Sequence, residues 1–377
     1  RGDSSSWDKS KITTNKWVSI ADISLNEGKI IFDTKEYISD KAAKKIKKVK
    51  AGSLLMSFKL TIGKMAFAGD DLFTNEAIIA IPQNEDYDLH FLYYYLLQYD
   101  WRTLTEGNEK VKGATLNKQS IGKIQLPIIS MDEQRRIVSY LDSSFKLIDE
   151  IKNKALKSLT EAKALFQSAL AEAMEPKEGW EEKTMGEICL IVGRIGFRGY
   201  TRKDIVTNKK DGAITLSPSN IVNGNMCYNN CTYISWFKYN ESPEIKIQNG
   251  DILIVKTGSS YGKSAFVENL PHKATINPQF VVLKDIKINH KFLSYQLKTK
   301  KTYDYINSIV SGSAIPTFSQ ANLSKMLIEF PPLPTQKQIV SRLDKLSSKV
   351  RAIEEKYQKM VEECDALKQA MLRDVFE

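Results

Sequence analysis

Two stretches of this 377-residue chain carry residue types that could do chemistry at a spacing that suggests it. Gly258-Ser-Ser-Tyr-Gly262-Lys263-Ser264 follows an apolar run, as a phosphate-cradling loop does. Such a loop offers backbone N–H groups and a lysine to phosphates, and it needs four residues between its glycines. Three stand here, and a related stretch, Leu60-Thr-Ile-Gly63-Lys64, has no leading glycine. Two readings remain: a tight glycine turn that presents Ser259, Ser260, Tyr261 and Lys263 to a groove or phosphate, or a plain hairpin turn. Asn277-Pro278-Gln279-Phe280 is one residue away from the Asn-Pro-Pro-Phe type signature that holds a flipped adenine for modification. No glycine-rich cofactor loop accompanies it. A structural turn is one reading. The other is an Asn/Gln donor pair at a base edge, because Gln can pair bidentately with adenine in the major groove.

The remaining reactive side chains form no constellation. His90, His272 and His290 are scattered, and Cys189, Cys227, Cys231 and Cys364 make no Cys-x-x-Cys pair. Metal-ligand spacing is missing, and no acid–base pair can be assigned. Catalysis must then come from a partner. The cysteines read as reduced thiols of a cytoplasmic protein. No apolar run of 18 residues exists, which predicts no membrane span, and no signal peptide is visible. The chain opens on Arg-Gly-Asp without an initiator Met, which points to a start further upstream.

The net charge of +10 favours a polyanionic partner, nucleic acid first. The polar loop residues near predicted strand ends are the candidates for DNA contact. In the second half of the chain these are Arg194, Arg198, Tyr200, Arg202, Lys256, Thr257, Ser259, Ser260, Tyr261, Lys263, Gln279 and Thr317. In the first half they are Ser4, Ser5, Lys59, Thr61, Lys64, Lys110, Lys112 and Thr115. Arg and Lys neutralise phosphates, while Ser, Thr, Gln and Tyr position or read. Each could equally be a solvated surface residue, as could the lysine-rich stretch 41–50.

Two long helices must position these loops. From Gln336 to Phe376 apolar residues recur in alternating steps of four and three, through Ile339, Leu343, Leu346, Val350, Ile353, Tyr357, Met360, Cys364, Leu367 and Met371. That heptad seam predicts a helix of roughly 60 Å that seeks a partner helix. The partner lies 202 residues earlier: Gln134-Arg-Arg-Ile-Val-Ser-Tyr-Leu-Asp142 answers Gln336-Lys-Gln-Ile-Val-Ser-Arg-Leu-Asp344 without a gap. Its seam runs through Ile137, Leu141, Ile148, Ile151 and Leu165, with small residues between.

Two mixed α/β stretches precede these helices and repeat each other. Gly250-Asp-Ile-Leu-Ile-Val255 and Gly262-to-Phe266 match Gly52-to-Ser57 and Gly63-to-Phe67, and Ile315-Pro-Thr317 matches Gly113-Ala-Thr115. Strands are predicted at 17–23, 52–58, 62–67, 77–81 and 121–129, with a buried helix at 89–97. The expected fold class is α+β: two similar mixed α/β domains separated by two long antiparallel coiled-coil helices, a pseudo-two-fold tandem repeat. Its parts are a first domain over 1–130, a helix over 131–175, a second domain over 176–332 and a second helix over 333–377. The opening stretch of the second domain, about 180–192, has no counterpart before Arg1, so the first domain reads as truncated at its N-terminus.

The order of these parts, with the Trp-x-x-x-x-Asp-Ile stretch at Trp17, the Gly-Asp-Ile-Leu-Ile stretch at Gly250 and the Pro-Pro-Leu-Pro-x-Gln run at 331–336, resembles the specificity subunit of Type I restriction-modification systems. The resemblance covers essentially the whole chain. The first unit departs from it at Ser130-Met-Asp-Glu-Gln134, which lacks the second unit's prolines. It implies a non-catalytic subunit with two target-recognition domains, each reading one half of a split double-stranded DNA site, and helices that act as spacer. It also implies two modification (adenine methyltransferase) subunits docked on those helices, with restriction (endonuclease/translocase) subunits joining them. S-adenosylmethionine would belong to the methyltransferase, and none is expected in this chain. Because the aligned loops differ, Lys59-Leu-Thr-Ile against Lys256-Thr-Gly-Ser-Ser-Tyr, the two half-sites should differ. The rival readings are a coiled-coil protein-interaction adaptor without DNA specificity, and a nuclease or methyltransferase fragment.

Overall fold

A computed structural model describes residues 6–59, 61–104, 116 and 118–377. The chain divides into two compact units, Arg1–Leu156 with Gln358–Glu377, and Lys157–Tyr357.

The first unit contains β1 (Lys16–Val18), α1 (Ile20–Leu25), β2 (Ile30–Ile31), β3 (Glu36–Tyr37), α2 (Asp40–Ala43), β4 (Leu54–Ser57), β5 (Met65–Ala68), β6 (Phe73–Thr74), β7 (Ile78–Ile81), α3 (Leu89–Gln98), α4 (Lys118–Ile121) and the start of α5 (Met131–Ala173). Its strands form a four-stranded sheet, β2-β5-β4-β7, and a three-stranded one, β3-β1-β6. The strand predicted at 17–23 stops at Val18. Ser19 and Asp22 form a capping box there, each side chain bonding the other's backbone N–H, and the chain turns into α1. The 52–58 and 77–81 runs form β4 and β7, the second half of 62–67 forms β5, and the 89–97 run forms α3, which buries Leu89, Phe91, Leu92, Tyr94 and Leu96. The strand predicted at 121–129 does not form: residues 122–130 join no ladder. In the second unit the corresponding residues, Leu327–Phe330, pair antiparallel with Glu181–Thr184.

The second unit contains β8 (Glu181–Thr184), α6 (Met185–Ile188), β9 (Leu190–Gly193), β10 (Ile205–Val206), β11 (Gly212–Leu216), β12 (Ile221–Val222), β13 (Asn225–Met226), β14 (Thr232–Ser235), α7 (Trp236–Glu241), β15 (Ile252–Val255), β16 (Ser264–Phe266), β17 (Ala274–Ile276), β18 (Phe280–Lys284), α8 (His290–Gln296), α9 (Lys300–Ile309), α10 (Gln320–Leu323), β19 (Leu327–Phe330) and most of α11 (Leu333–Phe376). Two four-stranded sheets, β10-β14-β11-β17 and β16-β15-β18-β9, carry its cores. The repeat is visible in the ladders: Leu54 faces Phe67 and Ile81 in the first unit, and Ile252 faces Phe266 and Leu283 in the second.

Within each unit the long helices run antiparallel. In the first, Lys152 reaches Asp365 at 2.5 Å and Lys368 reaches Asp149 at 2.6 Å; in the second, Arg342 reaches Glu172 at 3.5 Å. Leu141, Ile148, Leu343 and Val350 of the predicted seam are buried, and Ile137, Ile339, Leu346, Tyr357 and Met371 are half-buried. Ile151, Leu165, Ile353 and Leu367 depart from it, at 49, 60, 40 and 50% exposure. A strict 3.5-residue repeat drifts about 20° per heptad around a 3.6-residue helix. In the first unit the drift brings the stems of Lys152 and Lys368 inward and turns Ile151 and Leu367 out. Among the described residues no helix is long and apolar enough to cross a membrane.

Candidate nucleic-acid interface

In the second unit three loops meet at the end of the β15/β18 ladder. The β15–β16 turn is built by two glycines with positive φ, Gly258 at 101° and Gly262 at 80°, a backbone that L side chains rarely adopt. Lys256 and Thr257 donate their N–H groups to the Gln279 carbonyl at 2.7 and 3.3 Å, which ties this turn to the 277–280 loop. Gly258 donates to the Pro316 carbonyl at 2.9 Å, and the Thr257 and Thr317 hydroxyls meet at 2.8 Å, which ties it to the 311–317 loop. Lys256, Thr257, Gln279 and Thr317 therefore share one rim, with Ser259 and Lys263 exposed on it. Ser260 is half-buried in the same turn, and the Tyr261 hydroxyl donates to Asn307 at 2.9 Å.

The turn is not a phosphate loop. The N–H groups of Gly258, Tyr261, Gly262 and Lys263 all donate to protein carbonyls, and β16, a strand, follows where a phosphate loop opens a helix. Asn277 is buried, and its side chain accepts from the Gln279 N–H at 3.0 Å and donates to Gln279 Oε1 at 2.9 Å. It is a turn-former, and the orientation this imposes leaves the Gln279 Nε2 group beside Gly258, 3.3 Å from where a Cβ would stand. A side chain at position 258 would crowd that amide.

The four candidates at 194–202 differ in kind. Arg194 is 6% exposed, and its guanidinium donates to the Ile276 carbonyl at 2.9 and 3.1 Å, the Arg198 carbonyl at 3.2 Å and the Thr275 hydroxyl at 3.2 Å. Burial holds its pKa below the usual arginine value. That side chain braces the loop, with four of its five N–H donors held by protein acceptors. Its guanidinium stacks 5.4 Å from the Tyr200 ring centroid, and the Thr215 hydroxyl donates to Tyr200 at 3.3 Å. Arg198 pairs with Glu244 at 3.6 Å. Arg202 is exposed.

In the first unit the β4–β5 turn holds Lys59, Thr61 and Lys64, closed by Gly63 at φ 81°, the counterpart of Gly262. Thr61 is exposed; Lys64 pairs with Glu27, and Lys59 lies 5.6 Å from the Phe58 ring centroid. Ser4, Ser5, Lys110, Lys112 and Thr115 lie outside the described residues. Leu116, just after them, donates its N–H to the Phe58 carbonyl at 2.9 Å, as Phe318 does to the Lys256 carbonyl at 3.2 Å. The same strand-to-loop tie thus recurs in both units.

A feature the sequence reading passed over joins each domain to its helix. Gln134 and Gln336 are 0 and 3% exposed. Gln134 Oε1 accepts from the Asp88 N–H at 2.9 Å and Gln336 Oε1 from the Asn289 N–H at 2.8 Å, at the caps of α3 and α8. Their amide groups donate to the Ile129 and Pro331 carbonyls at 3.1 and 2.7 Å. Two turns on, the Tyr94 hydroxyl donates to Asp142 at 2.5 Å and the Tyr295 hydroxyl to Asp344 at 2.7 Å. Burial, then the carboxylate, holds both phenol pKa values far above the usual tyrosine range. Gln and Asp are identical at the first and last positions of the two aligned nine-residue stretches, and this identity is the trace of the joint in the sequence.

Among the described residues no group of three His, Cys, Asp or Glu side chains could hold a metal ion. His90 stacks on Phe67 with ring centroids 4.3 Å apart, His290 bonds the Gly250 carbonyl at 2.8 Å and His272 the Gly212 carbonyl at 3.0 Å.

Comparison with known proteins agrees with this architecture. The family model of the Type I restriction modification DNA specificity domain matches the chain twice, over residues 3–161 and 177–363. The MjaIX specificity subunit of a type I restriction enzyme from Methanocaldococcus jannaschii is 22% identical over 358 residues, covering 89% of this chain and 80% of that one. A chain from a structural study of type I restriction-modification complex assembly superposes with a TM-score of 0.76 at 19% identity, over 99% of this chain and 94% of its own length. The HsdS subunit of Thermoanaerobacter tengcongensis does so at 0.52 and 19% identity, over 98 and 93%. With two copies of the family's domain matched along the chain, this protein belongs to the Type I restriction-modification DNA specificity family, the non-catalytic DNA-recognition component of those systems.

Proposed function

We propose that the chain reads a bipartite, asymmetric double-stranded DNA site, with one half read by the domain within 1–130 and the other by the domain within 176–332. The observation that carries this reading is the rim of the second unit, where Lys256, Thr257, Gln279 and Thr317 converge beside exposed Ser259 and Lys263. Lysines on such a rim neutralise phosphates and the Gln279 amide reads a base edge. The equivalent turn of the first unit offers Lys59, Thr61 and Lys64. Different side chains at equivalent places favour different half-sites.

The number of residues in α5 and α11 sets the interval between the half-sites, and the outward faces of these helices dock two methyltransferase subunits. S-adenosylmethionine resides on those subunits, and restriction subunits complete the assembly. The test is co-expression with cognate adenine methyltransferase subunits and mapping of methylated adenines genome-wide. A gapped motif with unlike halves is expected; two identical inverted halves would refute the asymmetry. An adaptor without DNA specificity would yield no motif and no salt-dependent DNA affinity beside its partners.

A further inference from the structure

The tandem repeat supplies an internal control for one cleft. In the first unit, Phe145 of α5 packs edge-on against Tyr94 at 5.5 Å, and Leu97 joins the same apolar cluster. In the second unit, the partners of the matching Tyr295 are replaced: Ser347 stands where Phe145 does, 202 positions on, and Lys298 where Leu97 does, one residue after the aligned Leu96 and Leu297. The phenyl ring and the leucine are gone, and a cleft of about 580 Å³ opens between α8, the β12–β13 hairpin and both long helices of that unit.

The fold therefore does not require a lysine at this place, yet one is half-buried there. Its ammonium lies 5.7 Å from the Tyr295 ring centroid and, like the ring, lines the cleft. Burial, then the neighbouring Arg351, lowers its pKa to about 8. Among the described residues neither Lys298 nor Lys163 nor Arg351 has a carboxylate partner; Arg351 is held by the Asn225 side chain at 3.2 Å, at the tip of the hairpin. Glu268 and Asp344, on the wall of the same cleft, bond Lys291 at 3.2 and 3.4 Å and also favour the charged form of Lys298, and Glu354 is the third carboxylate of the lining. Four cations, Lys163, Lys291, Lys298 and Arg351, against three carboxylates leave a net positive cleft of the size that takes small organic ligands, with Phe166 and Tyr295 supplying aromatic wall.

We propose that this cleft is a ligand site of the second unit that binds the phosphate group of a nucleotide-sized molecule, with Lys298 and Arg351 on the phosphate and Lys163 at its edge. Charge-assisted bonds from paired cations to a phosphate are short and strong, and the ligand would bridge the hairpin, α8 and α11. The site is distinct from the rim described above and does not depend on the DNA reading.

The test is calorimetric titration of the full-length chain with inorganic phosphate and with a nucleoside diphosphate. Saturable single-site binding is expected, tighter for the diphosphate. The double variant Lys298→Leu/Ser347→Phe, which installs the side chains of the first repeat, should weaken both by about tenfold or more, and Arg351→Gln should do the same without altering the packed core. Exposed Lys209→Ala in the same unit should leave binding unchanged. Absence of saturation for both probes up to ~10 mM, or undiminished binding by the two cleft variants, would overturn the site. A diphosphate that binds no tighter than inorganic phosphate would overturn the nucleotide-sized occupant.

Discussion

Among single residues, the cations divide by what their nitrogens already hold. Arg194 has spent its guanidinium on two carbonyls and a hydroxyl. Arg194→Ala should cost about 2–3 kcal/mol, because buried carbonyls lose charge-assisted donors; chemical denaturation of the variant will measure it. Lys263 is exposed on the rim with no such duties. Lys263→Ala should leave the denaturation midpoint unchanged, weaken DNA binding uniformly across sequences and lower the salt-dependence slope by about one. Gln279→Ala should instead relax one base position of the methylated motif, at about 1–3 kcal/mol of discrimination. Lys298 is depressed to about 8 by burial. The unfolded chain binds this proton more tightly, so the penalty is fully present below pH 8 and fades as pH rises toward the ordinary lysine value. Lys298→Leu should therefore raise stability by about 2 kcal/mol at pH 7 and by far less above pH 10; denaturant midpoints at the two pH values decide it.

At the scale of elements, the two joints are the features to break. Each Gln is buried, holds a helix-cap N–H and the carbonyl of the chain entering the long helix, and sits two turns before an Asp that receives a tyrosine hydroxyl. Removing Gln336 leaves a buried N–H and a buried carbonyl unpaired, so Gln336→Ala should cost about 2–4 kcal/mol. Tyr295→Phe keeps the ring and should cost about 1 kcal/mol. Hydrogen exchange at α8 in the two variants is the measurement: protection should fall further for Gln336→Ala. Along the helices, Leu343 at 1% exposure is a core residue and Leu367 at 50% is not. Leu343→Ala should cost about 2–5 kcal/mol, and Leu367→Ala well under 1.

For the whole molecule, two matched units of one family domain and two long helices of 43 and 44 residues make helix length the natural variable. Deleting four residues, about one turn, from α5 within 156–162 should shift the gap of the methylated motif while leaving its two halves as they were. An unchanged gap would refute the spacer role.

The amino-acid sequence was enough to determine the repeat and the two long helices, because these rest on periodicity and spacing, which survive without coordinates. Glycines at 258 and 262 likewise announced a tight turn, since few other residues accept their backbone. Three-dimensional packing decided the rest. It spent Arg194 on carbonyls, turned Ile151 and Leu367 outward as a 3.6-residue helix outran a 3.5-residue pattern, and left 122–130 without a ladder among the described residues. It also opened a charged cleft where Ser347 replaces Phe145. Each of these depends on which neighbour, distant in the chain, occupies the same few ångströms, and one-dimensional spacing does not encode that.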